Sequence, residues 1–90
     1  MAKVRFTSAL TRFFPALKEV EVQGSTVQEV LDKVNREAPG VIHYLLEEDG
    51  SLRQHVNIFV KDELITDRVH LSDQVRNSDE ILIYQALSGG

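Results

Sequence analysis

Few residues in this chain are equipped for chemistry, and their spacing argues against a site built within it. His43, His55 and His70 fall in separate segments with no ligand-like spacing, so each reads as a surface or packing histidine and no metal site is expected. There is no cysteine, which excludes a disulfide framework, a zinc–thiolate centre and a sulfur nucleophile. No serine sits in a nucleophile elbow, and the internal glycines Gly24, Gly40 and Gly50 stand singly rather than in a phosphate-cradling loop. Glu47-Glu48-Asp49-Gly50-Ser51 lacks the oxygen periodicity of a calcium loop and reads as a polar turn. No catalytic residue and no bound cofactor are expected, and the chain is read as a protein acted on by enzymes rather than as an enzyme. What remains is the terminal carboxylate of Ser88-Gly89-Gly90.

A terminal Gly-Gly has a bland reading, a frayed stub, and a sharper one. Residues without a Cβ thread a narrow channel and leave the carboxylate uncrowded. Fully extended, Ala86 to Gly90 spans roughly 16 Å at about 3.3 Å per residue, enough to place the carboxylate in another protein's active site. A carboxylate is a poor acyl donor until a partner adenylates it with ATP, after which a persulfide or cysteine thiolate on the partner can displace AMP. The product is a thiocarboxylate or a thioester at Gly90.

The segments before this tail have to present it. Ile81 to Leu87 is β-branched and aromatic and too short for a helix, so it reads as the last strand. Ala2 to Thr7, Glu19 to Gln23 and His55 to Lys61 alternate apolar and polar residues as half-buried strands do. Ser8 to Lys18, interrupted by Pro15, reads as a connection, with Phe13 and Phe14 expected to cap the core rather than to form a docking patch. From Ser25 to Ala38 the apolar positions Val27, Val30, Leu31, Val34 and Ala38 form one stripe. Ser25 or Thr26 caps this helix, and Pro39-Gly40 ends it. Val41 to Leu46 adds a helical turn, Asp62-Glu63 a tight turn, Leu64 to His70 a short edge and Leu71 to Val75 a brief helical turn. The expected architecture is α+β, a mixed sheet of four or five strands packed on one long helix. Residues 1–86 form the domain and 87–90 a flexible tail. With Val56, Ile58, Val60, Ile81 and Ile83 facing the helix, Phe59, Leu82 and Tyr84 face away, and Phe59 with Tyr84 forms an apolar patch at the root of the tail.

Composition narrows the partners. Ten Lys and Arg against 14 Asp and Glu give a net charge of -4 with scattered basic residues, which disfavours nucleic acid. The apolar runs are only a few residues long and the first residues lack a signal-peptide core, so no membrane span and a cytoplasmic location are expected.

The order of elements, the span Val56-Asn57-Ile58-Phe59-Val60-Lys61-Asp62-Glu63, the run Asp79-Glu80-Ile81-Leu82-Ile83 and the terminal Ser88-Gly89-Gly90 together resemble the ThiS/MoaD ubiquitin-like sulfur carriers over essentially the whole chain. The nearest flavour is the CysO-type subgroup of cysteine biosynthesis, on Asp49-Gly50-Ser51-Leu52 standing before His55-Val56-Asn57-Ile58. The resemblance implies a β-grasp fold and an E1-like enzyme that consumes ATP to adenylate Gly90 and installs sulfur as a thiocarboxylate. It also implies an acceptor enzyme, resembling a cysteine synthase or the molybdopterin synthase large subunit. Ser88, Gly89 and Gly90 would enter the partners' active sites, while Phe59, Leu82, Tyr84 and Leu87 would form the docking surface of a protein that is monomeric when free. Many family members carry proline just before the tail, where this chain has Gln85-Ala86-Leu87. Two rivals use the same residues differently: a protein modifier that forms isopeptide conjugates, and a β-grasp interaction module with an idle tail.

Overall fold

In the computed structural model, residues 1–17 and 20–85 are described, with Ser8, Ala9 and Ala16 described for their backbone only. Alternation builds the sheet: strands β1 (Ala2–Phe6), β2 (Val20–Val22), β3 (Val56–Val60), β4 (Glu63–Leu64) and β5 (Glu80–Gln85) lie in the order β2-β1-β5-β3-β4. β1 and β5 run parallel in the middle and the remaining pairs are antiparallel, so the sheet is mixed. A parallel neighbour requires a crossover, and the chain between β1 and β5 supplies it with the main helix.

That helix, α2 (Val27–Glu37), starts where Thr26 Oγ1 accepts the Glu29 N–H at 3.2 Å. The Glu29 carboxylate turns back to accept from the Ser25 N–H and hydroxyl, which holds its pKa below the usual carboxylate range. Both candidate caps are therefore used, Thr26 as the cap and Ser25 as the donor to Glu29. Gly24 lets the incoming chain pass close beneath α2, since a Cβ there would sit 3.0 Å from Val30 Cγ2 and 3.1 Å from its nitrogen. α2 buries Val27, Val30, Leu31 and Val34 against the inner sheet face of Val4, Val20, Val22, Ile58, Ile81 and Ile83. Beyond Ala38, Gly40 at φ +98° turns the chain into α3 (Ile42–Leu45), and Asn35 Oδ1 accepts the Gly40 and Ile42 N–H groups.

Four local expectations are corrected. The expected connection at Ser8–Lys18 contains helix α1 (Ser8–Phe13) and a 3₁₀ turn at Pro15–Leu17, which bury Leu10 and Leu17 in the core. Of the two phenylalanines, Phe14 packs on the core as expected, whereas Phe13 is 67% exposed. The β3–β4 turn is Lys61-Asp62, both with positive φ (52° and 69°), rather than Asp62-Glu63, and Glu63 pairs with Val60. These are the dihedrals of a type I′ hairpin, whose twist matches the strands.

The fourth concerns Leu71–Val75, which forms no helical turn. The backbone groups that a turn over Leu71–Val75 would pair with one another bind the start of α2 instead: the Leu71 and Asp73 carbonyls accept the Gln28 and Val27 N–H groups, both at 3.0 Å, and the Val75 N–H donates to the Ser25 carbonyl at 2.9 Å. Asp67 accepts from the N–H of Val69, His70 and Ser72, and Asp73 from Thr66 and Asp67. Leu71 has φ +56° and Gln74 bridges to Thr26, which closes the loop onto the start of α2.

Candidate docking face and carrier terminus

The helices cover one face of the sheet, and the register decides what the other carries. Arg5 lies beside Leu82, Leu82 opposite Phe59 and Phe59 opposite Leu64. Directly paired residues share a face, so Arg5, Leu82, Phe59 and Leu64 form one row across β1, β5, β3 and β4. Tyr84, two residues past Leu82, lies opposite Asn57 in the next row. Leu82, Tyr84 and Leu64 are 39%, 44% and 50% exposed, and Phe59 between them is half-buried. Large apolar side chains held this far into solvent side by side on a sheet are the ordinary material of an interaction site.

The rim of this patch is polar. Arg5 Nη2 lies 3.9 Å from Glu80 Oε1 with both side chains mostly exposed, a pair that orients more than it stabilises. At the other end Arg68 fixes Asn57, donating to its Oδ1 at 3.1 Å and to the carbonyls of Arg53 and Val56 at 2.7 and 2.9 Å. Asp79, buried where β5 begins, accepts the Arg76 N–H at 2.8 Å and lies 3.8 Å from Lys61 Nζ.

At its far end β5 is held by Thr7, whose N–H donates to the Ile83 carbonyl at 3.3 Å and whose hydroxyl oxygen accepts the Gln85 N–H at 3.5 Å. Phe59, Leu82 and Tyr84 are thus brought together on the open face, as the alternation predicts. Leu87, Ser88, Gly89 and Gly90 lie outside the described residues, as does the expected boundary at residue 86. Sequence reasoning missed Leu64 and Arg5. The signal for Leu64 was the hairpin: a two-residue turn at Lys61-Asp62 sets Leu64 opposite Phe59, whereas a turn one residue later would set it opposite Lys61. Among the described residues no group of three or more His, Asp or Glu is placed to hold a metal ion, and no helix is long and apolar enough to cross a membrane.

A mixed five-stranded sheet in this order, with β1 and β5 parallel and, among the described residues, three α-helices, α2 the longest, in place of the one long helix expected, defines a ubiquitin-like β-grasp domain. The sequence profile of the ThiS family matches residues 4–90, and the chain belongs to that family, the ubiquitin-like sulfur carriers. Among solved structures it is similar to a chain of the Amycolatopsis orientalis BexX/CysO complex, with 28% identity over the whole of both chains and a TM-score of 0.86. The fold is shared with CysO of Mycobacterium tuberculosis (24% identity, 97% of this chain and 100% of that one, TM-score 0.84). SAMP1 of Haloferax volcanii also has it (23% identity, 99% and 98%, TM-score 0.79). No curated protein sequence matches the chain.

Proposed function

We propose that this sulfur carrier works through the carboxylate of Gly90, which an E1-like partner adenylates and converts to a thiocarboxylate. A carboxylate oxygen attacks the α-phosphorus of ATP and pyrophosphate leaves. A partner persulfide then attacks the acyl carbon and AMP leaves, forming an acyl disulfide. A second partner thiolate attacks the sulfur bound to the partner. A disulfide forms on the enzyme and the Gly90 thiocarboxylate is released. The sulfur and the thiols come from the partner, because this chain has no cysteine.

The observation that carries the proposal is the pairing of a family match reaching residue 90 with an apolar patch that includes Leu82 and Tyr84 of strand β5. In this reading Phe59, Leu82, Tyr84 and Leu87 dock the enzyme, and Ser88, Gly89 and Gly90 occupy its channel. The protein serves as a co-substrate and binds no cofactor of its own. An acceptor enzyme then uses the thiocarboxylate as its sulfide source. A cysteine-forming enzyme is the first candidate on the CysO likeness, and a molybdopterin-synthase-like subunit the second.

Intact-protein mass spectrometry tests this after incubation with the activating enzyme, ATP and a sulfur donor. The expected product has one oxygen replaced by sulfur, and deletion of Gly90 abolishes it. No mass change under conditions where the same enzyme thiolates another carrier would refute the proposal. Higher-mass conjugates that depend on Gly90 would instead favour the protein modifier.

A further inference from the structure

The open-face patch flanks the exit of β5 on one side only. On the helix side lies a second exposed aromatic surface. Phe13, the last residue of α1, stacks on Tyr44 of α3 with ring centroids 6.2 Å apart and planes within 18°. Phe14 meets Tyr44 edge-on at 5.3 Å and packs on the core, so it anchors the stack from beneath. Phe13 is 67% and Tyr44 45% exposed, a large apolar area held by the stack and, among the described residues, left open to solvent.

This platform is tied to the root of the tail. Thr7, which holds the Gln85 N–H, is also the residue from which α1 departs, and the six residues of α1 rise only about 9 Å to Phe13. Five residues follow Gln85, reaching roughly 16 Å when extended. An enzyme that draws Gly90 into a closed site therefore brings its rim up to this end of the domain. An acyl adenylate is destroyed by water, so the adenylating site has to be sealed around the whole entering strand. A seal on the Phe59–Leu82–Tyr84 side alone leaves the helix side open.

We infer that the Phe13–Tyr44 stack is a second docking surface for the adenylating enzyme, completing the seal opposite the open-face patch. The inference rests on the adenylation proposed above. Its occupant is the apolar rim of that enzyme's carrier site, with an aromatic, aliphatic or guanidinium group over the exposed Phe13 ring.

Phe13→Ala tests it, with Phe13→Tyr as the conservative variant and Leu82→Ala marking the other face. Thermal unfolding is followed alongside the KM for the carrier, kcat, and AMP released per thiocarboxylate formed. For Phe13→Ala the expected result is a KM raised at least about fivefold, with an unfolding midpoint close to that of the wild type. AMP release should rise relative to thiocarboxylate as water reaches the adenylate, and Phe13→Tyr should restore both. A KM within about twofold of wild type with unchanged coupling would overturn the inference. So would a lowered KM, which would mean that the chain's own tail occupies the stack. Loss of a wild-type dimer in sedimentation without a change in KM would also overturn it, by making a second copy the occupant. If the wild type itself is never adenylated, the proposed function fails and this inference with it.

Discussion

Two neighbours on β5 separate stability from docking. Ile83 is fully buried between Phe6 of β1 and Ile58 of β3, whereas Leu82 lies on the open face and is 39% exposed. Ile83→Ala removes three carbons from a site whose backbone is fixed by ladders on both sides. The lost transfer free energy is about 2.4 kcal/mol at ~0.8 kcal/mol per methylene. The cavity adds to this, because a central strand cannot collapse inward, for a total of about 3 to 4 kcal/mol. Against a total of roughly 5 to 13 kcal/mol for a domain of this size, that is a large fraction. At about 4 to 8 °C per kcal/mol it lowers the unfolding midpoint by roughly 12 to 30 °C. Leu82→Ala, one residue away, removes a half-exposed side chain and costs less than about 1 kcal/mol of stability. Its expected effect falls on the KM for the activating enzyme. Urea unfolding of both variants, followed by circular dichroism, measures the difference directly. Equal destabilisation by the two substitutions would refute the face assignment and, with it, the reading of Leu82 as a docking residue.

Other outcomes follow from local geometry. Asp62 sits at φ +69° in the hairpin, so Asp62→Gly should raise stability by roughly 0.5 to 1 kcal/mol in urea titration. Thr26→Ala removes the oxygen that accepts the Glu29 N–H and should cost about 1 kcal/mol by the same measurement. The loop of residues 65–75 should loosen in acid. Hydrogen bonds from the Ser72 hydroxyl and the His70 N–H, the largest influences, hold the Asp67 carboxyl well below the usual range. For Asp73, burial is the largest single influence and pushes upward, but hydrogen bonds from Thr66 and the Asp67 N–H outweigh it and leave the pKa lowered. Both groups bind protons more weakly in the folded state. The stability they supply is therefore complete above the unfolded carboxylate value near 4 and declines as the pH falls from there through their folded values. Equilibrium unfolding between pH 6 and 2 checks this, since Asp67→Asn should flatten the acid limb of the curve and a slope identical to wild type would contradict the loop geometry.

Alternation and helical periodicity made the framework legible. Ala2–Phe6, Val56–Val60 and Glu80–Gln85 repeat with the period of a pleated strand, and Val27, Val30, Leu31 and Val34 with that of a helix, because each element buries only one face. The same alternation assigned Phe59, Leu82 and Tyr84 to the outer face. The absence of cysteine excluded, without any structure, a disulfide or a thiolate nucleophile within these 90 residues. Other features depend on which segments meet in space. Leu71 to Val75 forms no helical turn because its backbone groups pair with Ser25, Val27 and Gln28 at the start of α2, a competition between distant segments invisible to local propensity. The Lys61-Asp62 turn displaced the expected one because hairpin twist favours two left-handed residues there over the ordinary preference of either. Only that register set Leu64 beside Phe59. Only the packing of Phe14 beneath Tyr44 left Phe13 in solvent, since adjacent phenylalanines carry the same apolar signal in a sequence and their burial is decided by what lies across from each.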